Sequence, residues 1–173
     1  DRECEVTIYP AHTTAEEILA TKPDGIMLSN GPGDPKECKE IIAEIRKLYE
    51  SDTPIFAICL GHQLLALANG AKTEKLKYGH RGVNHPVKDI DADRTYITSQ
   101  NHGYAVVGES VDPKIARVRY VNLNDGTVEG LEHIGRPVFT VQYHPEVCPG
   151  PMDTSYLFDK FIENIEKSKG GAQ

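Results

Sequence analysis

Apolar and polar positions alternate along this chain in two distinct rhythms. Gly25-Ile-Met-Leu-Ser29 and Pro54-Ile-Phe-Ala-Ile58 are unbroken apolar runs bounded by turn residues. Runs of that length read as strands buried on both faces of a parallel sheet. Between and after them the period changes to that of a helix. Ile41, Ile42, Ile45 and Leu48 form one stripe over Glu37 to Glu50, and Leu64 to Ala68 is a Leu/Ala run ended by Asn69-Gly70. Thr13 with Glu16, or Thr14 with Glu17, fits a capping box that opens a short helix, which Lys22-Pro-Asp-Gly25 stops. Val6 to Tyr9 reads as a short leading strand.

The second half is richer in strands. Thr73 to Val87 is polar and Gly-rich and predicts a strand pair with a loop. Arg94 to Thr98 predicts a strand that runs into a loop at Ser99 to Tyr104. Short strands follow at Ile115 to Val121, Gly126 to Glu132 and Pro137 to Tyr143, with turn residues between them. A closing helix from Asp153 to Lys167 carries Leu157, Phe158, Phe161, Ile162 and Ile165 on one stripe, and Gly170 to Gln173 reads as a frayed tail. Early βα alternation followed by hairpins predicts one domain over residues 1–173. Its class is α/β, three-layer α/β/α, with a mixed, mainly parallel central sheet and a flavodoxin-like core.

One stretch carries candidate chemistry. The run Pro54 to Ile58 ends in Cys59, and Leu60-Gly61-His62-Gln63 leads into the helix. Strand, sharp turn and helix make a nucleophile elbow with cysteine in the serine place. Such a turn lifts the side chain above the sheet and aims the first helical N–H groups at whatever the sulfur attacks. Ser29-Asn-Gly31-Pro-Gly33-Asp-Pro35 lies between a buried strand and a helix, where open α/β sheets keep ligands.

A thiol needs a base, because an unperturbed cysteine is mostly protonated at neutral pH. His144-Pro145-Glu146 supplies a candidate at a strand end. Pro145 biases His144 toward extended backbone, where residues two apart point the same way. His144 and Glu146 then leave the strand side by side, and the carboxylate can fix the imidazole tautomer. Cys59, His144 and Glu146 are the expected nucleophile, base and orienting residue. The other six histidines are expected to be local or structural.

Composition narrows the partners. A net charge of −7 argues against nucleic acid or an anionic membrane surface. Cys4, Cys38, Cys59 and Cys148 are widely spaced, with no CxxC pair and no metal-ligand spacing, so no metal is expected. No twenty-residue apolar run or signal sequence is present, and a reducing cytoplasm is the expected compartment.

Ser-Asn-Gly-Pro-Gly-Asp-Pro, Ile-Cys-Leu-Gly-His-Gln, Ser-Gln-Asn-His-Gly-Tyr and His-Pro-Glu occur in that order. In these motifs the chain resembles the class I, triad-type glutamine amidotransferases. Gly61 to Ala68, Gly82 to Val87 and Gln100 to Val106 bring it nearest to the glutaminase domain of carbamoyl phosphate synthase small subunits. The resemblance implies that Cys59 attacks the side-chain amide of L-glutamine, His144 moves protons and Glu146 orients His144. It implies that Leu60 and the Gly31 loop hold the oxyanion. It further implies that Gly31, Gly33, Gln63, Asn101, Gly103 and Tyr104 grip the substrate. No cofactor is expected in this chain; ATP and magnesium are expected on a large partner subunit that makes carbamoyl phosphate.

The resemblance has departures. Ala57 stands where the family has glycine, and Tyr104 where phenylalanine is common. The chain is expected to lack the family's first strand–helix unit, and the separate N-terminal domain of the small subunit as well. A fragment of a longer small subunit, less stable and a poor glutaminase without its partner, is therefore expected. Alternative readings are the amidotransferase of another synthase, of anthranilate synthase or GMP synthetase type, or a catalytically silent module on the same fold.

Overall fold

The computed structural model describes residues 2–147 and 153–170; Cys148 and the tail at 171–173 lie outside them. One seven-stranded sheet runs through the molecule in the order β1-β2-β7-β6-β5-β3-β4. The strands are β1 (Ile26–Leu28), β2 (Ile55–Ile58), β3 (Thr73–Asp89), β4 (Arg94–Val106), β5 (Ala116–Asn122), β6 (Val128–His133) and β7 (Val138–Val141). The helices are α1 (Ala15–Ala20), α2 (Lys39–Glu50), α3 (Leu60–Ala68) and α4 (Tyr156–Gly170).

Three layers form because both faces of β1, β2 and β7 are apolar. On one face Ile26, Ile55, Ala57 and Val138 pack against α1, α2 and α3 through Ala15, Ile45, Leu48, Leu64 and Leu65. On the other, Phe56, Ile58, Phe139 and Val141 pack against Leu157 and Phe161 of α4. Phe56 stacks on Phe139 with ring centroids 4.5 Å apart. Every residue of β2 is buried, as its unbroken apolar run predicts, and so is every residue of β7; β1, the other such run, is an edge strand that leaves Met27 exposed, so it is not buried on both faces. Thr14 caps α1 with Glu17 as its capping-box partner, so the second of the two candidate boxes is used.

Three further expectations need correction. The sheet is mixed but not mainly parallel: β1, β2 and β7 pair parallel, whereas β7-β6, β6-β5, β5-β3 and β3-β4 are antiparallel. The turn-linked strands of the second half pair with their neighbours, because a short turn can only reverse the chain. Val6 to Tyr9 is not a strand; Val6 and Ile8 are exposed and β1 forms the sheet edge. Thr73 to Val87 is not a strand pair but one long strand, β3, and the Ser99–Tyr104 loop is part of its partner β4. Turn-forming glycines in β3 are absorbed by register shifts between Lys75 and His80 and between Gly82 and His85. Gly79, at φ 70°, lies where a Cβ would sit 2.6 Å from the carbonyl oxygen of His102, so only glycine lets β3 approach β4 there.

Candidate active site

The apolar run of β2 ends abruptly at Cys59, which adopts φ 53° and ψ −106°. A side chain rarely takes that conformation, and it persists only where the surroundings enforce it. Two contacts enforce it here. The Cys59 N–H donates to the Val141 carbonyl at 2.9 Å, continuing the β2–β7 ladder, and the Cys59 carbonyl already accepts from Gln63 N–H in α3. Gly61 makes the sharp entry possible. A Cβ there would lie 2.4 Å from the Leu28 carbonyl oxygen, so α3 sits directly against β1. Ala57 stays in ordinary strand geometry, fully buried; the strain falls on Cys59 itself.

The Cys59 thiol is 4% exposed at the N-terminus of α3. The first N–H groups of that helix have no partner within it, and they present positive partial charge beside the sulfur.

β7 delivers the second group. Just beyond its end, the His144 N–H donates to the Ser99 carbonyl at 2.9 Å, which ties this segment to β4. His144 Nδ1 lies 2.8 Å from Glu146 Oε1, so the neighbouring carboxylate orients the ring and turns Nε2 away from itself. His144 is 9% exposed, and it shares a cavity of about 580 Å³ with Cys59. The proximity of Cys59, and after it the hydrogen bond to Glu146, raise the His144 pKa to about 10 against the opposing effect of burial.

The cavity brings together most residues anticipated from sequence. Gly31 and Gly33 line one wall with Asn30, Pro32 and Asp34; Asn101, Gly103 and Tyr104 of β4 line another, and Gln63 lines the floor near Cys59. Gln63 donates both amide protons elsewhere, to the Tyr104 carbonyl at 2.8 Å and to Gln142 Oε1 at 2.9 Å. Its Oε1 is the part left for a ligand. Burial, and then the charge of Asp34, push the Tyr104 phenol above its usual range.

Leu60 and Glu146 do not line the cavity. Glu146 stands behind His144, and the Leu60 side chain packs on Gly31, reaching 2.7 Å from where a Gly31 Cβ would be. Lys75 and Arg81 are cavity residues that the motifs did not single out, and His102, within a motif but expected to be local or structural, lines the cavity too. The sequence carries little signal for them, since all three sit on polar strands whose pairing brings them to the rim. A smaller cleft of about 330 Å³, near Arg136 at the opposite end of β7, contains none of the anticipated residues.

Residues 1–164 match the family model described as glutamine amidotransferase class-I. The chain belongs to the class I glutamine amidotransferases. Within that family, it is 55% identical over 168 residues to the carbamoyl phosphate synthase small chain of Symbiobacterium thermophilum, covering 96% of this chain and 46% of the relative. It is 58% identical over 168 residues to the small chain from a Bacillus cereus strain, at 97% and 46% coverage. The chain thus spans a little under half the length of the curated relatives it matches. Among solved structures, its fold is similar to a protein from Thermoplasma acidophilum provisionally described as a GMP synthase component. The TM-score is 0.82 at 22% identity, over 95% of this chain and 82% of that one. A glutamine amidotransferase from Thermotoga maritima superimposes with TM-score 0.59 at 19% identity, over 83% and 65%. Both likenesses bear on the fold, and they agree with the α/β layering.

Two further histidines, His62 and His133, behave as structural groups. His62, fully buried on α3, has Nδ1 2.7 Å from Thr140 Oγ1. His133 Nδ1 lies 3.1 Å from the Tyr49 hydroxyl. Among the described residues, no helix is long and apolar enough to cross a membrane.

Proposed function

We propose that this chain hydrolyses L-glutamine to glutamate and ammonia, and that the ammonia passes to the large subunit of a carbamoyl phosphate synthase. The observation that carries the reading is a strained cysteine at a helix N-terminus, sharing one cavity with an imidazole that a carboxylate orients. The relatives' name supplies the product.

The chemistry follows from the geometry. Cys59 passes its proton to His144 and attacks the amide carbon, forming a carbon–sulfur bond. The charge on the amide oxygen falls to the Leu60 N–H and an N–H of the Gly31 loop, each worth about 3 kcal/mol in such sites. His144 returns the proton to the departing nitrogen, the carbon–nitrogen bond breaks, and a γ-glutamyl thioester remains. His144 then takes a proton from water, which displaces the sulfur and releases glutamate. Glu146 keeps Nδ1 occupied throughout.

Substrate recognition uses the rim. Gln63 Oε1 accepts from the α-ammonium group, and Lys75 and Arg81 offer positive charge to the α-carboxylate. Asn101, Gly103, Tyr104, Gly31 and Gly33 close around the side chain. ATP and magnesium act on the large subunit.

The test is carbamoyl phosphate synthesis by the reconstituted complex, supplied with ATP, bicarbonate and either glutamine or ammonium. Wild type is expected to use both, and Cys59→Ser only ammonium. Undiminished glutamine use by Cys59→Ser would overturn the assignment.

A further inference from the structure

Behind the β4 wall of the cavity lies a second buried cluster that the glutaminase chemistry does not use. It joins His80 of β3, Gln100 and His102 of β4, and Glu129 of β6. His80, His102 and Glu129 are all buried and can each direct one ligand atom to a common point, with those atoms within 4.8 Å of one another. Gln100 Oε1 sits between the rings, 3.0 Å from His80 Nδ1 and 2.9 Å from His102 Nε2.

The outer nitrogens of both rings are already engaged. His80 Nε2 lies 2.8 Å from Asp125 Oδ2, and His102 Nδ1 lies 2.8 Å from the Tyr104 carbonyl oxygen. A carboxylate and a carbonyl can only accept, so neutral His102 places its single proton outward, while Glu129 and Asp125 raise the His80 pKa to about 9 and hold a second, inner proton on that ring in the metal-free protein. The inner nitrogen of His102 is then a lone pair, and the inner proton of His80 points between Gln100 Oε1 at 3.0 Å and Glu129 Oε1 at 3.4 Å, where a cation would displace it. Both inner nitrogens face Gln100 Oε1, an acceptor, and fully buried Glu129, whose Oε2 has no hydrogen-bond partner. Asn122 donates at 3.1 Å to the other carboxylate oxygen only. Acceptors therefore outnumber protons at this point, and a buried orphan carboxylate oxygen is costly.

We propose that His80 Nδ1, His102 Nε2 and the Glu129 carboxylate bind a divalent first-row transition metal, with Gln100 Oε1 as fourth ligand. Two imidazoles and a carboxylate suit Zn²⁺. Tetrahedral bonds of about 2.1 Å place ligand atoms about 3.4 Å apart, so the two imidazoles and the carboxylate draw together while Gln100 Oε1, 3.0 and 2.9 Å from the ring nitrogens, moves outward. Asp125 and the Tyr104 carbonyl occupy the positions of the groups that orient metal-bound histidines elsewhere. With all four positions filled by protein, the ion is structural. It ties β3, β4 and β6 together behind Asn101 to Tyr104. Sequence spacing gives no hint of it, because the ligands come from three strands.

The experiment is metal analysis of the full protein, purified without a histidine tag, followed by Zn²⁺ titration against a chromophoric chelator and thermal melts. One equivalent is expected in wild type and in Cys59→Ser, which separates this site from the Cys59–His144 pair. Zn²⁺ is expected to raise Tm. Glu129→Gln and His80→Gln should weaken binding at least 10-fold and abolish the rise. Should either fail to fold, the half-exposed Asp125→Asn should weaken binding about 10- to 100-fold. Less than 0.1 equivalent bound by wild type would mean that extra protons satisfy these acceptors, and would overturn the proposal. So would binding that survives Glu129→Gln but disappears in Cys59→Ser.

Discussion

The backbone N–H of Cys59 donates to the carbonyl of Val141 at 2.9 Å, and three residues after Val141 comes His144. This one ladder bond explains how a nucleophile and a base from distant parts of the chain reach one cavity. β2 and β7 are adjacent parallel strands with Ile58 opposite Val141, so they end together, and the residues just past both ends share the rim. Parallel strands place their carboxyl ends on the same side by construction, which is where open α/β sheets bind ligands.

The strain at Cys59 predicts an inverted stability order. At φ 53° and ψ −106°, a side chain costs about 1–3 kcal/mol that glycine does not pay. Cys59→Gly should therefore be more stable than Cys59→Ala by about 1–2 kcal/mol, although glycine ordinarily weakens a strand–helix junction. Equilibrium denaturation of the two variants measures the difference. Equal stabilities would mean that the elbow relaxes once the thiol is gone.

Glu146 sets the alkaline limit of activity. The His144 pKa is raised, first by Cys59 and then by Glu146, to about 10. A raised histidine pKa stabilises the fold fully below the ordinary value near 6.5, and that contribution is lost as pH climbs through about 10. In the proposed chemistry the same protonated ring is the acid for ammonia departure. Glu146→Gln should lower the His144 pKa, move the alkaline limb of the glutaminase profile down by about 1 pH unit, and reduce kcat about 100-fold. An unmoved limb would assign that titration to another group.

Buried histidines should govern acid stability. Burial lowers the pKa of His62 to about 3 and of His133 to about 4. In the window from about 6.5 down to about 4, the unfolded chain binds protons that the folded one refuses, so stability falls as pH falls. His133→Gln should flatten that slope in urea titrations at a series of pH values. An unchanged slope would place the acid sensitivity elsewhere.

Much of the fold was legible because the buried elements obey simple periodicities. β1 and β2 announce themselves as apolar runs, β7 as a short turn-bounded strand, α2 and α4 as stripes, and the elbow as an apolar run that stops at Cys59-Leu-Gly. His-Pro-Glu was legible too, since proline restricts His144 locally. What failed depended on partners rather than on local pattern. Val6 and Ile8 look like strand residues but are exposed without a neighbouring strand, and β3 looks broken because Gly79 and Gly82 read as turns when they are irregularities in a long strand. Lys75, Arg81, His80 and Glu129 gain their settings only from cross-strand pairing, which one-dimensional spacing does not encode.

The central claim is that Cys59 and His144 act together on the side-chain amide of glutamine, and a glutamine-analogue chloroketone tests it most directly. Peptide mass mapping after brief exposure should find the label on Cys59, with Cys4 and Cys38 spared, protection by free glutamine, and strong slowing in His144→Asn. Labelling spread evenly over the cysteines, unaffected by glutamine or by loss of the imidazole, would contradict it.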